Sequence, residues 1–278
     1  EYEILGQRIS AAGAEIGIND FLISTLNGLG DANLDQYDPS VVWNSTNNEY
    51  FVVWDGETVN GEQKAFGQRL NNSGAFLGTN FEIIAGATGA NDFDIASVAY
   101  NSATNQYMVA GDMDSPLDAK NEIFTRLVNA DGSFPSAQTQ ISGLVPGNAS
   151  YDQNDAAIAY IPGFNEFLVA WRGESDQGGL ADNELEIFVQ RLDATNAQVG
   201  DDDEHISSNG GNGNANFDAY WPSIAYSTTS QQALIVWYGD DNTSPLVDNE
   251  NEIWGQLWKV PVANTDPVSY THLTLPTK

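Results

Sequence analysis

Short stretches in which β-branched and aromatic residues alternate with polar ones recur along the chain, each bounded by Asn, Asp, Gly, Ser or Thr. Val41-Val42-Trp43 precedes Tyr50 to Trp54, Val98-Ala99-Tyr100 precedes Tyr107 to Gly111, Ile158-Ala159-Tyr160 precedes Phe167 to Trp171, and Ile224-Ala225-Tyr226 precedes Ala233 to Trp237. A period of two with turn residues at both ends predicts strands, and helical spacing is almost absent. The links Asn44 to Glu49 and Asn101 to Gln106 carry the Asn, Ser and Thr of tight turns. The two stretches of each pair are therefore expected to be antiparallel neighbours.

Two further anchors follow. One reads Glu-Ile-x-Gly-Gln-Arg-Leu at its fullest and occurs at Glu3 to Ile9, Lys64 to Leu70, Glu122 to Leu127, Glu186 to Leu192 and Glu252 to Trp258. The other is a short apolar stretch ending in Ile-Ser or similar, at Phe21 to Ser24, Phe81 to Ala85, Thr139 to Ser142 and Glu204 to Ser207. Labelled A, B, C and D, these are four strands per unit, with steps of 57, 60 and 66 residues between Val41, Val98, Ile158 and Ile224. Four antiparallel strands are too few to close a sandwich of roughly 100 residues, so each sheet must hide a face against the next repeat. Radial stacking does so best and predicts an all-β fold, a β-propeller of four-stranded antiparallel blades with long B to C loops. A linear β-solenoid or tandem small sandwiches are the other architectures the pattern permits.

The expected division is strands C and D of a partial blade over 1–24, blades over 38–85, 96–142 and 156–207, and a partial blade over 222–260. Closing a ring by pairing the ends leaves one C strand redundant. The expectation is thus a fragment of about four to five blades, with the remaining blades in a longer parent chain and unpaired edges at its ends. Residues 266–278 break the repeat, and the run from Val268 to Thr277 resembles a translated cloning adapter. That likeness implies a non-native or disordered tail, in which His272 has no role.

Composition narrows the function. With 39 acidic against 9 basic residues and a formal charge of −30, the chain repels nucleic acid and anionic lipid and favours cations in a salty or calcium-containing medium. No nucleic-acid partner is expected, and no run of about 18 apolar residues suggests membrane insertion. The absence of cysteine excludes thiolate catalysis and zinc-thiolate sites.

Acids recur in the loops between B and C. Glu174, Asp176, Asp182 and Glu186 match the spacing of Asp240, Asn242, Asp248 and Glu252, and a shortened version is Asp112, Asp114, Asp118 and Glu122. The first such loop holds only Asp55, Glu57 and Glu62. Alternate acids in an extended loop turn oxygens to one side, and calcium takes six to eight oxygens at about 2.3 to 2.6 Å. Calcium at these loops is the expectation, against a reading of solvated surface acids. The glutamate that opens strand C has a second reading, as a strand terminator paired with a neighbouring group.

Four of the five arginines, Arg8, Arg69, Arg126 and Arg191, hold one place in strand C. A planar guanidinium fork suits carboxylate, and Asp38, Asp94, Asp155 and Asp218 precede strand A, so structural ties between the two sets are expected. A ring of arginines holding an anionic ligand is the alternative. The tryptophans on repeat strands are assigned to packing between blades. Tyr220 and Trp221 stand before strand A in the last unit only, where they are candidate ligand contacts.

Repetition itself argues against catalysis, which needs an asymmetric constellation. No Gly-x-Ser-x-Gly elbow or Ser-x-Asp-x-Gly-x-x-Trp box is present. The runs Glu186 to Asp193 and Tyr50 to Trp54 resemble repeats of large secreted bacterial surface proteins, a likeness spanning residues 1–260. It implies an extracellular or cell-surface location and a propeller or adhesin-type module. The expectation is a non-catalytic, calcium-supported binding or adhesion module for carbohydrate or a cell-surface protein. A glycosidase or lyase using paired carboxylates near the propeller axis is the alternative.

Overall fold

The structure is a computed structural model that describes residues 2–25, 34–85, 93–115, 120–143, 151–175, 179–241, 244–247 and 249–260. Every regular element among them is a β-strand. A two-stranded piece comprises β1 (Leu5–Ile9) and β2 (Glu15–Leu22). Three antiparallel four-stranded sheets follow. They are β3 (Gln36–Asn44), β4 (Glu49–Glu57), β5 (Gln63–Asn71) and β6 (Phe76–Ile84); β7 (Phe93–Asn101), β8 (Gln106–Asp114), β9 (Asn121–Asn129) and β10 (Thr139–Gln140); and β11 (Gln153–Ile161), β12 (Glu166–Gly173), β13 (Glu186–Asp193) and β14 (Gln198–His205). A three-stranded sheet of β15 (Ala219–Ser227), β16 (Gln232–Asp240) and β17 (Asn251–Trp258) ends the described fold. This is an open, partial β-propeller whose strands run A to D outward in each blade.

Alternation explains the stacking. Along β4, Phe51 and Val53 enter the cluster shared with β7, β8 and β9, while Val52 and Trp54 pack on Ile4 and Ile23 of the N-terminal piece. Along β12, Phe167, Val169 and Trp171 face the preceding blade, while Leu168 and Ala170 face the last one. Both faces are thus apolar at a period of two, which is what a sheet held between two neighbours requires. The blade tryptophans are tethered as well as buried. Trp54 Nε1 donates to Gln36 Oε1 at 2.7 Å, Trp171 to Gln153 Oε1 at 2.8 Å and Trp237 to Asn209 Oδ1 at 3.1 Å.

Each A to B hairpin turns through a left-handed residue, Asn48, Asn105, Asn165 or Gln231, with φ of 53° to 56°. Asn is well suited there because its short amide tolerates positive φ. Asn44 ties the first hairpin to the second, donating to Asn105 Oδ1 and to the Tyr107 hydroxyl at 2.9 Å each. Asn101 repeats the tie to Asn165. Strands β3, β7, β11 and β15 pack one on the next, which makes A the strand nearest the axis.

Candidate active site

Every A strand carries the same irregularity near its start. The register slips by one residue between Tyr37 and Ser40, Asp94 and Ser97, Asn154 and Ala157, and Tyr220 and Ser223. An extra residue in one strand bends it and re-aims a side chain. In three blades the bulged backbone is left-handed at Asp38 (φ 44°), Asp155 (φ 62°) and Trp221 (φ 48°). Positive φ is costly for such residues, and retained strain of this kind gathers at functional sites.

The bulges bring acids from different blades together. Asp38, Asp55 and Asp94 each offer a carboxylate oxygen, all within 4.8 Å of one another. Asp38 and Asp94 are exposed, whereas Asp55, at the end of β4, is 1% exposed and its Oδ1 has no hydrogen-bond partner. Burial, with the charges of Asp94 and Asp38, pushes the Asp55 carboxyl up to about 7. Asp112, paired with Asp94 in register, is also buried, and burial raises it well above the ordinary range. Its Oδ1 accepts the Asp155 N–H at 3.0 Å. Asp155 in turn forms an ion pair with Arg172, and burial raises its carboxyl in spite of that cation.

The row ends in aromatics. Arg172 lies 5.2 Å from the Tyr220 ring centroid, Tyr220 stacks on Tyr238 at 5.3 Å, and Trp221 meets Tyr238 edge-on at 5.8 Å. Trp221 also hydrogen-bonds Asp155, and its side chain is 63% exposed. Tyr220 is held by its hydroxyl, which donates to Asp218 Oδ2 at 2.8 Å. The pair singled out from sequence therefore stands beside the acids. The result is a strip of buried and open carboxyls, a guanidinium and an exposed indole.

The acids before strand A do not form one series. Asp94 opposes Asp112, Asp38 and Asp155 sit on bulges, and Asp218 lies outside β15, accepting the Leu185 N–H at 3.0 Å. They do not serve the strand C arginines. Arg69 pairs with Glu49 at 3.0 Å and Arg191 with Glu166 through two parallel bonds, both partners opening strand B. Arg8 donates to the Ser73 carbonyl, and Arg126 donates to the Ile83 carbonyl and covers the Phe134 ring at 3.7 Å.

The glutamates that open strand C meet serines. Ser24, Ser142 and Ser207 donate to Glu3, Glu122 and Glu186, and this explains the Ile-Ser ending of strand D. Burial pushes Glu186 up to about 8 even so. Of the other loop acids, Asp114, Asp182 and Asp240 lie at or near strand ends and Glu174 just past β12. Asp118, Asp176, Asn242 and Asp248 fall outside the described residues. A cavity of about 500 Å³ lies elsewhere, between β1 and the first full blade, and is lined mainly by apolar groups such as Ile4, Ile23 and Val52.

No known family profile matches the chain, and no curated protein does. Solved structures do match its fold. An N-acetylgalactosamine deacetylase from F. plautii aligns with 91% of this chain and 78% of its own, at 11% identity and a TM-score of 0.50. An endo-arabinase from Bacteroides thetaiotaomicron covers 79% and 74%, at 15% identity and 0.50. An α-L-arabinanase from Penicillium chrysogenum covers 90% and 69%, at 12% identity and 0.51. The expectation of a non-catalytic adhesion module is corrected by these findings, because the three solved structures, which share the fold, are of carbohydrate-acting enzymes. The physical reason is that repetition stops at the inner strands. The position after the strand B core is Asp55, Asp112, Arg172 or Tyr238, and its A-strand partner is Tyr37, Asp94, Asn154 or Tyr220. The sequence did hold this signal, a variable column inside a regular repeat, but the acids in it were assigned to loops and arginine ties.

Proposed function

We propose that the chain is a carbohydrate-active enzyme that cleaves a glycosidic bond with paired carboxylates at the propeller axis. The observation that carries this reading is Asp55, a buried carboxyl raised to about 7 beside two solvent-open acids. A carboxyl that keeps its proton near neutrality can protonate the leaving oxygen, while a second carboxylate attacks the anomeric carbon, a division of roles that suits acids as close as these, within 4.8 Å. Asp55 takes the acid role, and Asp38 or Asp94 the other. Trp221 supplies an aromatic face on which a sugar ring can stack, with Arg172 and Asp155 as hydrogen-bonding neighbours. The shared fold of arabinan-acting enzymes supports the same class of substrate.

The test is release of reducing ends from arabinan, xylan and galactan, with ultraviolet absorbance read alongside to detect the unsaturated product of a lyase. Activity lost in Asp55→Asn is the expected result. No turnover on any glycan, or full activity in that variant, overturns the reading. Its high negative charge and polymeric substrate suit an extracellular setting. Calcium at the B to C loops goes with that proposal; the check is a melting midpoint that rises with calcium and falls with chelator.

A further inference from the structure

Among the described residues strand β17 pairs with β16 alone, whereas its counterparts β5, β9 and β13 each carry a fourth strand on their outer side. Register makes Glu252 the counterpart of Glu122 and Glu186, since it opposes Gly239 as Glu186 opposes Gly173. In the second and third complete blades the serine after the D strand serves this glutamate and also accepts the next main-chain N–H, from Ile123 at 2.7 Å or Ile187 at 2.6 Å, whereas Lys64 takes the glutamate's place in the first. Glu252 is buried, at 7% exposure, and neither of its carboxylate oxygens has a hydrogen-bond partner.

Three further differences lie on the same edge. Gln256 Oε1 is buried and unpartnered, whereas Gln7 Oε1 accepts the Asp20 N–H, Gln68 Oε1 the Asn80 amide and Gln190 Oε1 the Asp203 N–H, all from D strands. Ile253 is 51% exposed, against 4%, 0% and 0% for Ile4, Ile123 and Ile187. The D strand also donates main-chain bonds, from Ile23 to the Ile4 carbonyl and from Ile141 to the Ile123 carbonyl, each at 2.8 Å. A buried acceptor without a donor is costly, and three on one open edge define the shape and chemistry of what satisfies them.

We propose that the outer edge of β17 is a strand-acceptor site. It takes an antiparallel β-strand of the chain's own D pattern, contributed by polypeptide outside residues 1–278. The added strand sets a serine hydroxyl on Glu252, an Ile over Ile253 and a donor on Gln256, and its backbone continues the sheet. The serine of each existing D strand stands 20 or 21 residues after its glutamate, and those positions after Glu252 are His272 and Leu273. The chain's last residues therefore do not carry the pattern. The site is separate from the axial acids, and its occupancy does not depend on catalysis.

The probe is a synthetic peptide with the sequence of residues 15–25, which holds the Ile23-Ser24 ending. Titration by calorimetry, with amide hydrogen exchange read in parallel, should show saturable binding and slowed exchange over residues 251–258. The peptide with Ser24→Ala should bind about tenfold or more weakly, as expected for a lost bond to a buried carboxylate. Ile253→Lys, a change at an exposed position that leaves the fold intact, should abolish binding. No binding, protection of β1 instead of β17, or equal affinity for a scrambled peptide overturns the proposal.

Discussion

Glu122 and Glu186 occupy one place in successive blades and are served by the same partner, a serine from the outermost strand. Asp55, Asp112, Arg172 and Tyr238 also occupy one place in four blades, yet two are acids, one a cation and one a phenol, and each faces a different A-strand residue or setting. The outer pair of strands repeats in these blades because each solves the same hydrogen-bonding problem at the same edge, and the first full blade solves it with Lys64 paired to Glu62 and Glu82. The inner pair lies nearest the axis, where side chains from neighbouring blades meet and need not be alike, as where Asp38, Asp55 and Asp94 come together. Repetition thus marks scaffold, and its failure marks the site.

The sharpest test of that contrast is Asp55→Asn. Removing a general acid is expected to lower turnover about 10²- to 10⁴-fold while the fold persists. The same substitution should reshape stability against pH. Asp55 is raised from its ordinary 3.8 to about 7, so the folded state holds a proton that the unfolded state has released between those values. The contribution of Asp55 to stability is therefore fully present below about pH 4 and is lost as pH rises to about 7, at roughly 1.4 kcal/mol per pH unit. Denaturant midpoints across that range should fall less steeply in Asp55→Asn than in the parent. Equal slopes would remove Asp55 as the group that holds the proton.

On the outer strands the expectation reverses. Ser207→Ala leaves the buried Glu186 with one donor fewer and should cost about 1 to 3 kcal/mol in urea unfolding, with turnover unchanged. Loss of activity at constant stability would contradict the division into scaffold and site. Trp221→Ala should raise KM for an oligosaccharide roughly tenfold, in line with one aromatic stacking contact, and shift stability by less than about 0.5 kcal/mol because the ring is exposed. The smallest effect on turnover is expected at Arg191→Leu. It breaks both bonds to Glu166, where each side chain is only 12% exposed, and should cost about 1 to 3 kcal/mol of stability while leaving KM alone.

Much of the scaffold was legible before any coordinates. The alternation of Phe51, Val52, Val53 and Trp54 already required a sheet with two apolar faces, and the Asn-rich links already required hairpins. The candidate site was legible only in part. Trp221 stood out because no other blade has an aromatic there, whereas Tyr220 repeats Tyr37 of the first full blade, and Asp38, Asp94, Asp155 and Asp218 looked like one series when aligned by their distance to strand A. The register separates them, because Asp94 is the paired residue just before its bulge, opposite Asp112, whereas Asp38 and Asp155 are the first residues of theirs. The partner of Arg191 was missed for a related reason. Glu166 is 25 residues away in sequence, and only antiparallel pairing of β12 with β13 sets it opposite.

The amino-acid sequence alone determined the strands, the repeat and the stacking of one blade on the next, since these follow from local periodicity and from the need of each apolar face for cover. Which acids meet was decided by tertiary structure. Asp38, Asp55 and Asp94 converge from two blades because the chain folds around an axis, and burial there, a property of the assembled sheets and of no single segment, is what keeps a proton on Asp55.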